Sequence, residues 1–440
     1  MTPSGSEAPQ GAGTALVSVA TAGGSTALLT DHYELTMLAA ALRSGVADRP
    51  ATFEVFTRRL PPGRRYGVVA GVDRFVEALD RFRFGADELG WLDRQRVVDA
   101  ATLEWLERYR FGGTVHAYGE GELHGAGSPI VTVEASFGEA VLLETLALSI
   151  LNHDSAIAAA AARIAAAAGD RPVIEMGTRR TDPEAAVAAA RVAYLTGFTA
   201  TSNLEAGRRH GIPTTGTAAH AFTLAHASER DAFAAQIATL GTGTTLLVDT
   251  YDVGGGIRTA VEVAGRGLGA VRIDSGDLAD EAVAARALLD RLGATATRVV
   301  ITGDLDDRSL RALRDAPADA YGVGTNVVTG LGAPSAGFVY KLVSLGVGEG
   351  GQQAVAKLSP GKATVGGRKQ AWRVAAGGAS VHDLVGPAGA SPPVPGRPLL
   401  RRVVDAGDVV DAPTVEEARA WHAGVRAELP AGVELGLRRW

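Results

Sequence analysis

A chain of 440 residues, 46% apolar and 21% charged, has the composition of a globular protein long enough for two or three domains and a large core. Its formal net charge of −6 argues against a surface that coats nucleic acid, and no apolar run of about 18 residues offers a membrane span. Zero cysteines exclude disulfides, thiolate metal sites and cysteine nucleophiles, and fit a reducing cytoplasm.

Residues 1–24 are small, polar and Gly-rich, without periodicity or an apolar secretion segment, and predict a disordered tail. An N-terminal α+β domain is expected over 25–135. It opens with a helix after Thr30 or Asp31, carrying the stripe Leu35, Met37, Leu38, Leu42 and placing Tyr33 in its first turn. The strand ATFEVFT, an Arg-rich Pro-Pro-Gly turn, a helix, a helical segment from Asp87 to Arg110 and a run of short Gly-punctuated strands follow. From Phe137 to Ala168 the pattern is helical for about 30 residues, long enough that a break is expected at Asn152, His153 and Asp154. His153 reads as a hydrogen-bonding neighbour rather than a chemical group.

Over 136–349 apolar strands alternate with helices. The strand candidates are PVIEMG, FTATSN, IPTTGTAAH, TTLLVDTYD, AVRIDSGD, RVVITGDLD, AYGVGTNVV and GFVYKLV, about seven βα units of a barrel or large parallel sheet. Residues 350–440 read as a β-hairpin pair, a Pro/Gly-rich connection, further strands and the helix TVEEARAWHAGVRAEL, a cap that packs on the N-terminal domain. The expected class is α/β: an incomplete TIM-like βα barrel with an α+β domain formed by the N-terminal and C-terminal parts.

Each strand candidate ends in a polar, Gly-containing turn, which puts the ligand site at the strand carboxyl ends. Arg179 and Arg180 follow the first, Thr201, Ser202 and Asn203 end the second, and His220 closes the third. A lone histidine by an apolar face is usually a core residue, but Asp249 at the next strand end can take a proton from one ring nitrogen and leave the other as nucleophile. His226 lies six residues on, off metal-pair spacing. RIDSGDL sets Asp274 and Asp277 where carboxylates meet ribose hydroxyls or a hydrated Mg²⁺, although Asp277 serves equally as a helix cap. Gly303 with Asp304, and Gly322, Gly324 and Thr325, form two successive Gly-containing ends that let backbone amides approach a phosphate. There is no GxxxxGK[ST] loop, and of the four lysines, Lys341, Lys357, Lys362 and Lys369, only Lys341 is placed for imine chemistry at a strand end.

Taken in order, TDHYELTM, the Arg-Arg segment, TSN, GTAAHAF, VDTYD, RIDSGDL, ITGDLD, GVGTNVVT, APSAGFVYKLV and KLSPGKATVGGRKQ resemble the nicotinate phosphoribosyltransferase family over nearly everything after residue 25. The resemblance implies that nicotinate and phosphoribosyl pyrophosphate give nicotinate mononucleotide and pyrophosphate in NAD salvage. It also implies ATP as co-substrate, Mg²⁺, a cytoplasmic location, and a transient phosphohistidine at His220 with Asp249 beside it. Arg179 and Arg180 match arginines at the base and diphosphate, and Met176 stands where relatives often stack an aromatic ring on the pyridine. Ser202 and Asn203 match positions beside the pyridine carboxylate, Asp274 and Ser275 match the ribose and diphosphate contacts, and Gly303 and Gly324 match backbone contacts to the 5′-phosphate. Arg272, Asp304, Gly322 and Thr325 count with them as substrate contacts, and Asp277 as a water-mediated Mg²⁺ contact. Tyr33 matches a tyrosine that reaches the base from the other subunit, which implies a homodimer with shared sites. The rivals are nicotinamide or quinolinate phosphoribosyl transfer on the same fold, a barrel aldolase using Lys341, and a binding-only paralogue. Nicotinamide specificity calls for an acid near Ser202, where only Glu205 is close, and the intact Arg179, His220, Asp249 and Asp274 speak against the paralogue.

Overall fold

The computed structural model describes residues 24–440 except 349, 377–379, 430–431 and 433–434, so the tail expected over 1–24 lies outside the described residues but for Gly24. The first helix, His32–Ser44, stops at Gly45 in the left-handed region; it buries Leu35 and Leu38 and leaves Tyr33 45% exposed. Strands from both ends of the chain then build one antiparallel sheet of seven strands. Its order is Gly351–Ala354, Phe338–Val347, Pro50–Thr57, Val131–Ser136, Thr114–Ala117, Arg401–Asp405, Asp408–Val409. The segment GFVYKLV thus runs antiparallel to Pro50–Thr57 and adds nothing to the parallel sheet. Its aromatic residues decide this: Phe338 and Tyr340 are buried on one face, and the Tyr340 ring stacks on Phe53 at 4.8 Å.

The hairpin pair expected after residue 350 is also rearranged. Gly351–Ala354 folds back on Phe338–Val347, residues 355–368 form no strand, and Lys369–Ala376 pairs with Ser380–Pro387. The helix Val415–Glu428 is capped by Thr414 and Glu417 in a reciprocal box, and a last strand, Gly436–Arg439, runs parallel to Ser380–Pro387.

The second sheet has six strands, all parallel: β1 (Val173–Glu175), β2 (Ala200–Thr201), β3 (Thr245–Leu247), β4 (Ala270–Ile273), β5 (Arg298–Ile301) and β6 (Ala320–Val323). Their order is β2-β1-β6-β5-β4-β3, and among the described residues the edge strands β2 and β3 do not pair with each other. IPTTGTAAH gives no strand. After buried Ile212 it carries only small side chains with nothing to bury on a sheet face, so it makes one bridge, Thr201 to Thr214, and runs as a loop into the helix His220–Leu224. His220 therefore starts a helix rather than ending a strand.

One helix, Glu144–Ala168, runs unbroken for 25 residues through the expected interruption; the break falls earlier, between it and the short helix Phe137–Val141. Leu146, Ala147 and Leu151 belong to the core of the antiparallel sheet, whereas Ile157 through Ala168 pack in the core of the parallel one. Asn152, His153 and Asp154 mark the seam. Asn152 Oδ1 accepts the Phe338 N–H at 2.8 Å, and Asp154 Oδ1 meets His153 Nδ1 at 2.7 Å and Arg74 Nη1 at 2.5 Å. Burial raises the Asp154 carboxyl, but Arg74 and His153 outweigh it and hold the group below the usual carboxylate range. Asn152 is taken up by the Phe338 backbone and Asp154 by Arg74, so these side chains find partners without the backbone ladder opening. No helix among the described residues is long and apolar enough to cross a membrane.

Candidate active site

The carboxyl ends of β1, β2, β4, β5 and β6 surround a pocket of about 520 Å³. Of the residues expected to carry the site, Met176, Arg179, Arg180, Ser202, Arg272, Asp274, Gly303, Asp304, Gly322, Gly324 and Thr325 line it. The sequence reading missed Thr178, Thr302 and the stretch Thr215 to Ala219, which line it too. The neighbouring motifs were the available signal for these residues; Thr217 shows why the loop belongs there, since its Oγ1 accepts Arg272 Nη1 at 2.9 Å.

Two glycines shape the floor. Gly303 holds φ at +108°, and a Cβ there would lie 2.5 Å from the Asp274 carbonyl oxygen, so only glycine lets β4 and β5 end this close together. At Gly322 a Cβ would meet Met176 Sδ at 2.7 Å; its absence lets the thioether lie across β6 at the pocket wall.

The charges are arranged in two groups. Arg179 and Arg180 sit in a single 3₁₀ turn after β1, and neither forms an ion pair among the described residues. Burial pulls the Arg272 guanidinium down from its ordinary value, opposed by Asp274 and Asp249 and reinforced by Arg179; an arginine remains charged at neutral pH regardless. Three guanidiniums without bidentate carboxylates are a receptor for anions.

The acids form the second group. Asp274 Oδ1 accepts the Thr302 hydroxyl, while Asp249 Oδ2 accepts the Asp274 N–H at 2.9 Å and the Ser275 hydroxyl at 2.7 Å. The Asp249 side chain is 1% exposed, and its Oδ1, without a hydrogen-bond donor, lies 4.0 Å from His220 Nε2. The other ring nitrogen, Nδ1, is 3.2 Å from Thr250 Oγ1. The imidazole is 41% exposed and sits next to Ala219 at the pocket rim. A buried acid and a hydroxyl thus face opposite nitrogens of an accessible ring.

Other expected residues lie outside the pocket lining. Asn203 caps the helix Leu204–His210 by accepting the Ala206 N–H at 2.8 Å and donates from Nδ2 to Thr178 Oγ1 at 3.3 Å. Asp277 caps Leu278–Arg291, its Oδ1 accepting from Ala279 at 3.1 Å and Asp280 at 3.2 Å. No group of three or more His, Asp or Glu suited to a metal occurs among the described residues. Tyr33 lies in the N-terminal part, where burial, then Glu144 and Glu34, push its phenol up to about 12. Glu205 is bound by Arg208 and Arg209, and Lys341 pairs with Glu144 at 3.0 Å in the antiparallel sheet.

A parallel α/β sheet with guanidiniums, strand-end acids and glycine-opened backbone on one rim is an anion-binding protein of the kind that takes phosphorylated sugars. Residues 28–152 match the model of the nicotinate phosphoribosyltransferase (NAPRTase) N-terminal domain. Nicotinate phosphoribosyltransferase pncB1 of Mycobacterium tuberculosis (strain CDC 1551 / Oshkosh) is 56% identical over 416 residues, 92% of this chain and 91% of its own. The nicotinate phosphoribosyltransferase of Bacillus subtilis (strain 168) is 38% identical over 361 residues, 80% of this chain and 73% of its own. The crystal structure of human nicotinic acid phosphoribosyltransferase superposes with a TM-score of 0.79 at 27% identity, covering 91% of this chain and 94% of that one. The chain belongs to the nicotinate phosphoribosyltransferase family.

Proposed function

We propose that this chain joins nicotinate to phosphoribosyl pyrophosphate, giving nicotinate mononucleotide and pyrophosphate for NAD salvage in the cytoplasm. The pyridine nitrogen attacks C1′ as the bond from C1′ to the pyrophosphate oxygen breaks, and pyrophosphate leaves with the electron pair. The observation that carries the reading is the meeting of Arg179, Arg180 and Arg272 with Asp274 and the Gly303 and Gly324 turns around one pocket. In this reading the guanidiniums hold the nicotinate carboxylate and the diphosphate, Asp274 with Ser275 orients the ribose, and backbone at Gly303 and Gly324 receives the 5′-phosphate. Met176 packs beside the pyridine ring, and the six parallel strands are the curled wall of an incomplete TIM-like barrel.

His220 is the group that ATP phosphorylates: a ring nitrogen attacks the γ-phosphorus, ADP leaves, and water later releases phosphate. Mg²⁺ neutralises diphosphate charge when it is bound. Asp274 and, through water, Asp277 are the carboxylates available to it, which suits an ion that keeps its waters and arrives on substrate phosphates. Nicotinamide is the weaker fit because Glu205, the acid near Ser202, is already engaged by two arginines. An aldolase is weaker still, since Lys341 lies in the other sheet. Product analysis with nicotinate, nicotinamide and quinolinate, each with phosphoribosyl pyrophosphate and with or without ATP, tests the reading. Nicotinate mononucleotide is the expected product, made faster or to greater extent with ATP; turnover of another base alone would sink it.

Exposed Tyr33 lies away from its own pocket, which supports its service in a second subunit of a homodimer. Tyr33→Ala is expected to lose activity that mixing with a His220→Ala chain restores in part; no complementation after subunit exchange would remove the shared site.

A further inference from the structure

A buried carboxylate that the proposed reaction leaves unused underlies both turns that present the arginines and Ser202. Glu175 is the last residue of β1 and 1% exposed, with Val323 and Thr201 as its cross-strand neighbours. Its Oε2 accepts the Thr201 hydroxyl at 2.6 Å, and its Oε1 accepts the Gly177 N–H. Thr201 Oγ1 in turn accepts the Asn203 N–H at 3.0 Å, and the Ser202 N–H donates to the Glu175 carbonyl at 2.8 Å. No cation pairs with Glu175 among the described residues. Tyr321, on the adjoining strand, turns its hydroxyl to Leu313 and Arg171, and the charges nearest in sequence, Arg179 and Arg180, line the pocket. The ionised carboxylate accepts from both donors at once; a proton on Oε2 would turn that contact round, so that the Thr201 hydroxyl accepts where it now donates.

We propose that Glu175 is a positioning residue, whose carboxylate fixes the turns after β1 and β2 to each other so that Arg179, Arg180 and Ser202 converge on one anionic substrate. The identity of that substrate rests on the phosphoribosyl-transfer reading; the coupling of the turns does not.

A residue that merely supports the fold and one that positions the pocket differ in their pH signature. Burial raises the Glu175 carboxyl above its ordinary value, against the hydrogen bonds from Thr201 and Gly177. A carboxyl higher in the folded than in the unfolded chain contributes more stability as pH falls through the folded value, since protonation relieves its burial. The same protonation removes an acceptor from the turns. Affinity for substrate is therefore expected to fall with pH while this group's contribution to stability rises.

The test uses the full chain and follows KM, kcat, melting temperature and calorimetric binding of inorganic pyrophosphate from about pH 8 to about pH 5. Glu175→Gln, which leaves one donor facing an NH₂ group, is expected to weaken pyrophosphate binding and raise KM for phosphoribosyl pyrophosphate by about ten- to a hundredfold. The Glu175 component of the pH dependence is expected to disappear with it. Thr201→Val removes the donor to Oε2 together with the acceptor of the Asn203 N–H, and should shift binding and KM in the same direction. Wild-type binding, KM and pH profile in Glu175→Gln would overturn the proposal; if that variant does not fold, the same result in Thr201→Val would do so. A protein that makes no nicotinate mononucleotide would end the functional reading, yet pyrophosphate binding would still decide the role of Glu175.

Discussion

In the His220→Ala variant, ATP is expected to give no stimulation: the ratio of nicotinate mononucleotide formed with and without ATP should fall to about one, while slow ATP-independent transfer persists. The geometry separates these two outcomes. His220 stands at the rim, 41% exposed, with Asp249 facing one nitrogen and Thr250 the other, whereas the arginines and the Gly303 turn lie in the pocket and do not depend on the ring. The matching chemical readout is labelled phosphate carried from the γ-position of ATP to the protein, stable to base and labile to acid, which the variant should lack. Undiminished ATP stimulation in His220→Ala would remove the histidine from the coupling and leave ATP without an acceptor in this site.

The second large effect belongs to a residue with no side chain. Gly303→Ala places a methyl group 2.5 Å from the Asp274 carbonyl oxygen at a φ of +108°, so β4 and β5 must separate at their carboxyl ends. A φ this unfavourable for alanine costs on the order of 1–3 kcal/mol. The separation also displaces Asp274, which the Thr302 hydroxyl and the Asp249 carboxylate now hold in place. Misplacing a substrate-orienting group by about 1 Å can cost roughly a hundredfold, and a loss of that size in kcat/KM is expected with a cooperative melting transition retained. Kinetics equal to the wild type would show that the 5′-phosphate contacts lie elsewhere.

What the sequence revealed follows from where the information resides. Strand-end turns are spelled in glycine, aspartate and arginine, so the turns after β1, β4, β5 and β6 were legible, as was their meeting on one rim. The strand Phe338–Val347 was misplaced because a short apolar run fits a parallel and an antiparallel sheet equally; only contact with Phe53 separates them. Asn152, His153 and Asp154 suggested a helix break because their partners, Phe338 and Arg74, are remote in sequence. Glu175 could not be picked out at all: its two donors reach it through strand register and turn geometry, which no spacing rule encodes.

The rod from Glu144 to Ala168, about 37 Å long at 1.5 Å per residue, is embedded at one end in the first core and at the other end in the second. The two halves of the molecule are therefore skewered on a common axle, and clamshell rocking about the junction would require bending a buried, fully hydrogen-bonded shaft. Sequestering the reactants from bulk water consequently falls to small-scale movement of surface segments such as the Gly216 side of the rim, where the 214–219 loop is held at its start by Thr201 and further on by the Thr217–Arg272 contact.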